Sequence, residues 1–86
     1  MTVTDYSYIN PGVFAFRLRS AMRKRKMTGS KLAKEIDRKE STIYQWTNGY
    51  QLPTLDTTIA LADILDVSLD FLTGRTEVME IGGSYA

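Results

Sequence analysis

The chain has 86 residues, enough for one domain with a modest hydrophobic core and too few for a second domain. It contains no cysteine and no histidine, which excludes disulfides, thiolate metal sites and imidazole acid-base catalysis. No apolar run approaches the roughly 20 residues of a membrane span, and the N-terminus lacks a signal-peptide pattern, so we expect a cytoplasmic protein without a membrane partner.

The net charge of +1 hides an uneven distribution along the chain. Residues 17–39 contain ten Lys or Arg and two acids, whereas residues 40–86 contain seven acids and one Arg. A basic half of this kind suits a module that approaches a polyanion with one face. Charged runs on helices are also often just solvated surface, so the charge alone leaves both interpretations open.

The first nine residues carry no helix signal, and we expect them to form an N-terminal arm. Asn10 and Pro11 predict a helix start, which continues to about Lys26. The apolar residues at helical spacing, which we expect to be buried, are Phe14, Leu18, Ala21 and Met22. The basic residues that this stripe leaves on exposed faces are Arg17, Arg19, Arg23 and Lys24.

Residues 28–49 predict two short helices joined by a tight polar turn. Leu32 and Ile36 are four apart and therefore share one face of a helix that Thr28 can cap. Asp37 interrupts the apolar pattern, and Asp tolerates the left-handed conformation that a sharp turn needs. We therefore expect the chain to turn at this residue.

The second helix of this pair is predicted over residues 41–48. Ser41 can cap its start, and Gly49 follows its end. At about 100° per residue, Ile43 and Trp46 face inward. The residues left on the opposite, solvent-facing side are Ser41, Tyr44, Gln45 and Asn48.

Two further helices are predicted after a loop at residues 50–53. Thr54 can cap the first and Ser68 the second, and Gly74 ends the second. The apolar residues that we assign to the core in the first helix are Leu55, Ile59, Ala62 and Leu65. The second helix is short and contains the apolar residues Leu69, Phe71 and Leu72. The prediction is thus an all-α, compact five-helix bundle.

Residues 75–86 form a predicted C-terminal tail. Its one strand-like patch, residues 78–81, fits either a simple tail or an oligomerisation strand, and the sequence leaves both open.

The order of residues in the predicted helix pair and the following helices resembles the Cro/CI-type helix-turn-helix family of phage repressors and small bacterial transcriptional regulators. The matching residues are Thr28, Leu32, Ala33, Ile43, Asn48, Gly49, Pro53 and residues 60–74. The resemblance implies a lambda-repressor-like DNA-binding domain over residues 10–74. It also implies a sequence-specific transcriptional regulator, and in particular a repressor, that reads the major groove with residues 41–48.

The chain departs from the family pattern at several positions. Gly29 stands where the family usually has a Gln that touches DNA, and Asp37 where it usually has Gly. Many members pair an Arg in the first helix with a Glu near the end of the recognition helix. The corresponding residues here are Met22 and Thr47, so that ion pair cannot form, and we expect only packing between them.

The candidate DNA contacts follow from the resemblance, residue by residue. The candidates for base contacts are Lys39, Glu40, Ser41, Tyr44 and Gln45. The candidates for phosphate contacts are Thr28, Gly29, Lys31, Lys34 and Asn48. Gln can bind adenine through two hydrogen bonds, Lys favours guanine, and Ser serves either base. Two alternatives stay open, in which Ser41 acts only as a cap and Tyr44 only covers the helix surface.

No pattern in the chain indicates an enzyme, a cofactor, a metal or a small-molecule ligand. Asp63, Asp66 and Asp70 flank apolar residues of the predicted scaffold helices, where exposed caps are the commoner role of such acids. Gly82-Gly83 lacks the context of a phosphate-binding loop. We expect a homodimer on an inverted-repeat operator in double-stranded DNA, with self-contact through residues 71–81.

The competing hypothesis is a protein-interaction module, such as an antitoxin or adaptor, for which DNA binding is secondary. The exposed aromatic residues that would suit such an interface are Tyr6, Tyr8, Tyr50 and Tyr85.

Overall fold

The computed structural model describes residues 9–81. The five helices in this part of the chain are α1 (Pro11–Lys24), α2 (Gly29–Ile36), α3 (Glu40–Thr47), α4 (Leu55–Leu65) and α5 (Leu69–Thr73). No strand occurs in the same residues, and the predicted all-α five-helix fold is confirmed. Except for Ile9, the predicted N-terminal arm lies outside the described residues, as do residues 82–86.

The helices pack around one core. Helix α1 contacts α3 and α5, α2 contacts α3 and α4, and α4 contacts α5. The predicted apolar stripe of α1 is confirmed, since all four of its residues are buried. The other buried apolar residues of the core are Leu32, Ala33, Ile43, Trp46, Leu61, Ala62, Leu65, Val67, Phe71 and Leu72.

The predicted core face of α4 is partly wrong. Leu55 is 67% exposed and Ile59 is 42% exposed, whereas Thr58 and Leu61 are buried. The buried face is therefore rotated towards Thr58 and Leu61. Apolar spacing alone misses this rotation because the neighbouring helices α2 and α5 decide which side of α4 is covered.

All five helices in residues 9–81 end in the same way. A residue one or two positions after each helix end has a positive φ, and these residues are Lys26, Asp37, Gly49, Asp66 and Gly74. The amide of each donates to the carbonyl three residues earlier, and the next amide donates to the carbonyl five residues earlier. This is the Schellman motif, which satisfies carbonyls that a helix end leaves without partners. The turn predicted at Asp37 is confirmed, and α1 ends before the predicted Lys26 because Lys26 adopts the left-handed conformation.

Three arginines of the α1 segment donate hydrogen bonds to the C-terminal ends of three other helices. They are Arg17, Arg19 and Arg25. The acceptors are the carbonyls of Phe71 in α5, Thr47 in α3 and Leu65 in α4, respectively. A cation is favourable at a helix C-terminus, because the carbonyls there carry partial negative charge. The α1 segment thus joins the bundle through its charges as well as through its apolar stripe.

Residues 75–81 fold back onto the body of the bundle. Arg17, which we expected on an exposed face, is half-buried, and its guanidinium donates to the Thr76 carbonyl at 2.5 Å. The Ser68 amide donates to the Met79 carbonyl at 2.8 Å. Met79, a residue of the predicted tail to which no core role was assigned, packs against the core. The strand-like patch forms no strand, because its backbone bonds to a helix start instead of to another extended segment.

Candidate nucleic-acid interface

Helix α3 presents one face to the core and the other to solvent. Ile43 and Trp46 are only 1% and 4% exposed, and they join the same core cluster as Leu32 and Ala33 of α2. The inward orientation predicted for Ile43 and Trp46 is therefore confirmed. Because both residues anchor α3, its opposite face stays open to solvent.

The start of α3 differs from the prediction. The helix begins at Glu40, and Lys39 is the N-cap in an extended conformation without a side-chain capping bond. The predicted cap at Ser41 is wrong, because the Lys39 carbonyl already accepts from the amides of Thr42 and Ile43 and so closes the first turn. Ser41 lies inside the helix, and its hydroxyl has no capping role.

The five candidates for base contacts lie together at the start and along the outer side of α3. All five are exposed, and Tyr44 is 64% exposed. Within residues 9–81, none of their side chains makes a hydrogen bond or a salt bridge. Their donors and acceptors are thus available to a ligand that approaches this side of the helix.

The candidates for phosphate contacts lie at the start of α2, within α2 and at the end of α3. Thr28 caps α2 by accepting from the Lys31 amide at 3.1 Å, and Gly29 is the first residue of α2. No heavy atom outside its immediate surroundings lies within 4 Å of a Cβ built at Gly29, so the backbone is approachable there. Lys31 and Lys34 are exposed. The side-chain Nδ2 of Asn48 donates to the backbone carbonyl of Tyr44, one turn earlier in α3, at 2.9 Å, which holds the side chain at the helix end.

A groove of about 400 Å³ lies between α1 and α3. Its lining residues are Arg19, Met22, Arg23, Met27, Gly29, Glu40, Ile43, Tyr44 and Thr47. Met22 and Thr47, which occupy the positions of the family's ion pair, both line it. In place of an ion pair, Arg19 donates to the backbone carbonyl of Thr47.

Sequence reasoning missed this contact of Arg19. A backbone carbonyl is present at every residue, so the sequence carries no signature for it as an acceptor. The only indication was indirect: the family's Arg and Glu are replaced by Met22 and Thr47, which removes the usual ion pair between α1 and α3.

The basic half divides into two groups of residues. Arg17, Arg19 and Arg25 bond to helix carbonyls, as described above. The remaining cations of residues 17–39, all of them exposed, are Arg23, Lys24, Lys26, Lys31, Lys34, Arg38 and Lys39. The second group supplies the positive charge that a polyanion would meet.

Within residues 9–81, no group of three or more acidic side chains is arranged to hold a metal ion. Among the helices of the same residues, none combines the length and the apolar character needed to cross a membrane.

Comparison with known proteins identifies the family. The sequence pattern of the helix-turn-helix family matches residues 18–72, well over half of the chain. The chain belongs to the Cro/CI-type helix-turn-helix family. This membership supports DNA binding and transcription regulation as the function of this helix-turn-helix protein, and the family is typically non-enzymatic.

The solved structures give a second comparison for this helix-turn-helix protein. It is similar to the solution structure of the SOS-response transcriptional repressor LexA from Eubacterium rectale, with a TM-score of 0.70 and 26% sequence identity. The similarity covers 74% of this chain and 68% of the LexA chain. None of the curated proteins matches the chain.

Proposed function

We propose that this helix-turn-helix protein is a transcriptional repressor that binds operator DNA as a homodimer and reads the major groove with α3. The observation that carries the proposal is the open face of α3. Ile43 and Trp46 anchor the helix in the core, and five polar or aromatic side chains on its outer side are exposed. The similarity to a LexA described as a transcriptional repressor supports the direction of regulation.

Base reading is assigned to the outer side of α3. The major groove of B-DNA admits an α-helix, and each base pair presents a distinct pattern of donors and acceptors there. Gln45 is the first candidate, because its amide can bond to both N6 and N7 of adenine. The hydroxyl of Ser41, which caps nothing, is the second. The supporting candidates are Lys39 for guanine, Glu40 for cytosine and Tyr44 for a thymine methyl or a phosphate.

Phosphate binding is assigned to the flanks of the helix pair. The first turn of α2 begins at Gly29, where no other heavy atom lies within 4 Å of a built Cβ, and helix N-termini favour anions. Thr28 and Asn48 contribute polar groups, and Lys31 and Lys34 contribute charge. Affinity should then fall with salt by about 0.9 log units per log unit of salt for each phosphate neutralised. Lys31→Ala should weaken binding to all sequences alike.

Selection of bound duplexes from a random pool, followed by titration of the enriched duplex, tests the base-reading role. We expect Gln45→Ala to cost about 1 to 3 kcal/mol on the preferred duplex and to relax preference at one base pair. The matched control is Gln51→Ala, which removes an exposed glutamine outside α3. An equal loss on preferred and random duplexes would contradict base reading by Gln45.

Dimer formation is proposed because one helix of about two turns reads only a few base pairs, too few to define one operator in a genome. The proposed self-contact uses the exposed apolar side chains of Leu69, Val78 and Ile81. They line a groove of about 410 Å³ between α4, the start of α5 and residues 76–81. Two copies related by a two-fold axis would then place both α3 helices on an inverted repeat about 34 Å apart.

The charges on the proposed dimer surface predict how self-association depends on salt concentration. Three carboxylates, those of Asp63, Asp70 and Glu80, also line the groove, so two copies would bring like charges together. Because salt screens this repulsion, self-association should strengthen as salt rises, while DNA affinity falls. Sedimentation equilibrium at low and high salt, without DNA, measures the first effect. Dimerisation that weakens with salt would contradict this surface.

The alternative of a protein-interaction module rests on the same groove, with a different protein as occupant. The variant Ile81→Glu distinguishes the homodimer from the alternative. The control is Leu55→Glu, because Leu55 is also an exposed apolar residue but lies outside the groove. Loss of dimer mass and of operator affinity in Ile81→Glu alone supports the homodimer. Unchanged mass and unchanged affinity in both variants favours the alternative.

A further inference from the structure

We infer that Arg19 is a positioning residue for the DNA-reading helix: it holds the C-terminal end of α3 against α1 and so sets the orientation of the base-reading side chains. Its side chain donates from Nη1 to the carbonyl of Thr47, the last residue of α3. The inference rests on the proposed function, since it assigns a role in reading DNA that requires α3 to read it.

Among residues 9–81, the backbone hydrogen bonds at the end of α3 leave one helix carbonyl for Arg19 to bind. The Tyr44 carbonyl accepts from the amide of Asn48, the Gln45 carbonyl from the amides of Tyr50 and Gln51, and the Trp46 carbonyl from that of Gly49. The Thr47 carbonyl has no backbone donor within residues 9–81, and Arg19 supplies the bond that is missing. The last helix carbonyl is thereby satisfied by a residue 28 positions earlier in the chain, instead of by its own turn.

The other two arginines of the same segment show that this is a general arrangement of the bundle. Arg17 bonds to the end of α5 and Arg25 to the end of α4. Both of those bonds are part-buried and join helices of the scaffold, whereas the bond of Arg19 is exposed. Arg19 therefore connects to the one helix among the three that carries the base-reading side chains.

The geometry explains why this contact affects reading more than folding. The core holds α3 through Ile43 and Trp46, which lie on one side of the helix and leave rotation about that line of contact possible. A bond at the C-terminal end restricts this rotation, because α1 is itself fixed in the core by five buried residues. An exposed hydrogen bond contributes little to the free energy of unfolding. Its loss should thus alter how Gln45 meets a base edge without unfolding the domain.

Arg23 offers a matched control for the test. It lies on the same helix, is exposed, lines the same groove, and makes no hydrogen bond or salt bridge within residues 9–81. Arg19→Met and Arg23→Met both remove one positive charge and keep an unbranched apolar stem. Each variant is titrated against the duplex selected by the wild-type protein and against a random duplex, at several salt concentrations.

We expect Arg19→Met to lower the ratio of preferred to random affinity roughly tenfold, the size of one lost base contact. Arg23→Met should lower both affinities together and leave the ratio unchanged. Arg19→Lys, which keeps the charge and one donor, should recover part of the ratio. In the absence of DNA, backbone amides at the end of α3 should exchange faster in Arg19→Met than in Arg23→Met.

Other outcomes overturn the inference. Equal, sequence-independent losses in Arg19→Met and Arg23→Met would make Arg19 a simple phosphate contact. If Arg19→Met does not fold, Arg19→Gln is measured in its place, because its shorter side chain does not reach Thr47. An unchanged ratio of preferred to random affinity in Arg19→Gln would contradict a positioning role for Arg19. A wild-type protein with no sequence preference overturns the proposed function and the inference together. A wild-type preference that Arg19→Met retains overturns the inference alone.

Discussion

Helices α2–α3 and α4–α5 form two pairs whose first helices end in nearly the same sequence. Residues 32–37 read LAKEID and residues 61–66 read LADILD. In both, the Asp is left-handed, with φ of 57° at Asp37 and 54° at Asp66, and both turns contain the same pair of backbone hydrogen bonds. The turn chemistry of the two pairs is therefore equivalent.

The two pairs differ in the two residues after the turn. Arg38 is exposed, and the side chain of Lys39 makes no capping bond to α3. Val67, in contrast, is only 1% exposed, and the Ser68 hydroxyl caps α5 by accepting from the Phe71 amide. The first pair therefore keeps the start of its second helix in solvent, with two cations beside it. In the second pair, the start of the second helix packs against the core through Val67. The comparison teaches that the residues following a shared turn decide whether a helix pair offers a surface or completes a scaffold.

Exchanging the residue after the turn should have the largest effect. Val67→Arg places a charge in the core without a partner, and we expect a loss of about 3 kcal/mol or more in the free energy of unfolding. The reciprocal change, Arg38→Val, should stay within about 0.5 kcal/mol, because Arg38 is exposed. Urea unfolding followed by circular dichroism measures both. Similar effects of the two substitutions would refute the distinction between the pairs.

Substitutions at the two N-cap positions should change the free energy of unfolding by smaller amounts and in opposite directions. Ser68→Ala removes the cap of α5 and should cost about 1 kcal/mol. Lys39→Ser adds the cap that α3 lacks and should stabilise the protein by about 0.5 to 1 kcal/mol. The same Lys39→Ser variant should bind DNA more weakly, because it loses a cation beside the base-reading face. If the Lys39→Ser variant is more stable than the wild-type protein and binds DNA with the same affinity, Lys39 does not belong to the interface.

The smallest effect should come from the feature that the pairs share. Asp37→Gly and Asp66→Gly each relieve a left-handed non-glycine residue, and each should stabilise the protein by about 0.5 kcal/mol after the greater freedom of glycine in the unfolded chain is included. The ion pair that Asp66 makes with Arg25 spans 3.9 Å and its carboxylate is exposed, so its loss changes little. Thermal unfolding of both variants should give shifts of the same sign. Shifts of opposite sign would mean that the two turns are not equivalent.

Much of the fold was predictable because the signals for it are local. The period of Phe14, Leu18, Ala21 and Met22 indicates the buried side of α1, and the positions of Ile43 and Trp46 fix the open side of α3. Caps and turn residues act on backbone atoms within a few positions, so their chemistry can be read in order along the chain. The position of the helix pair and its outward residues follows from these signals alone.

Only the tertiary structure decided the contacts between distant segments. The rotation of α4 depends on which helices cover it, and the bonds from Arg19 to Thr47 and from Ser68 to Met79 end on backbone carbonyls. Every residue carries such a carbonyl, so no side-chain pattern marks which one will accept. The packing of α1 against the end of α3, and of residues 75–81 against the start of α5, selects these acceptors. The sequence by itself therefore determined which face of α3 is open, and the assembled bundle determined what holds that face in place.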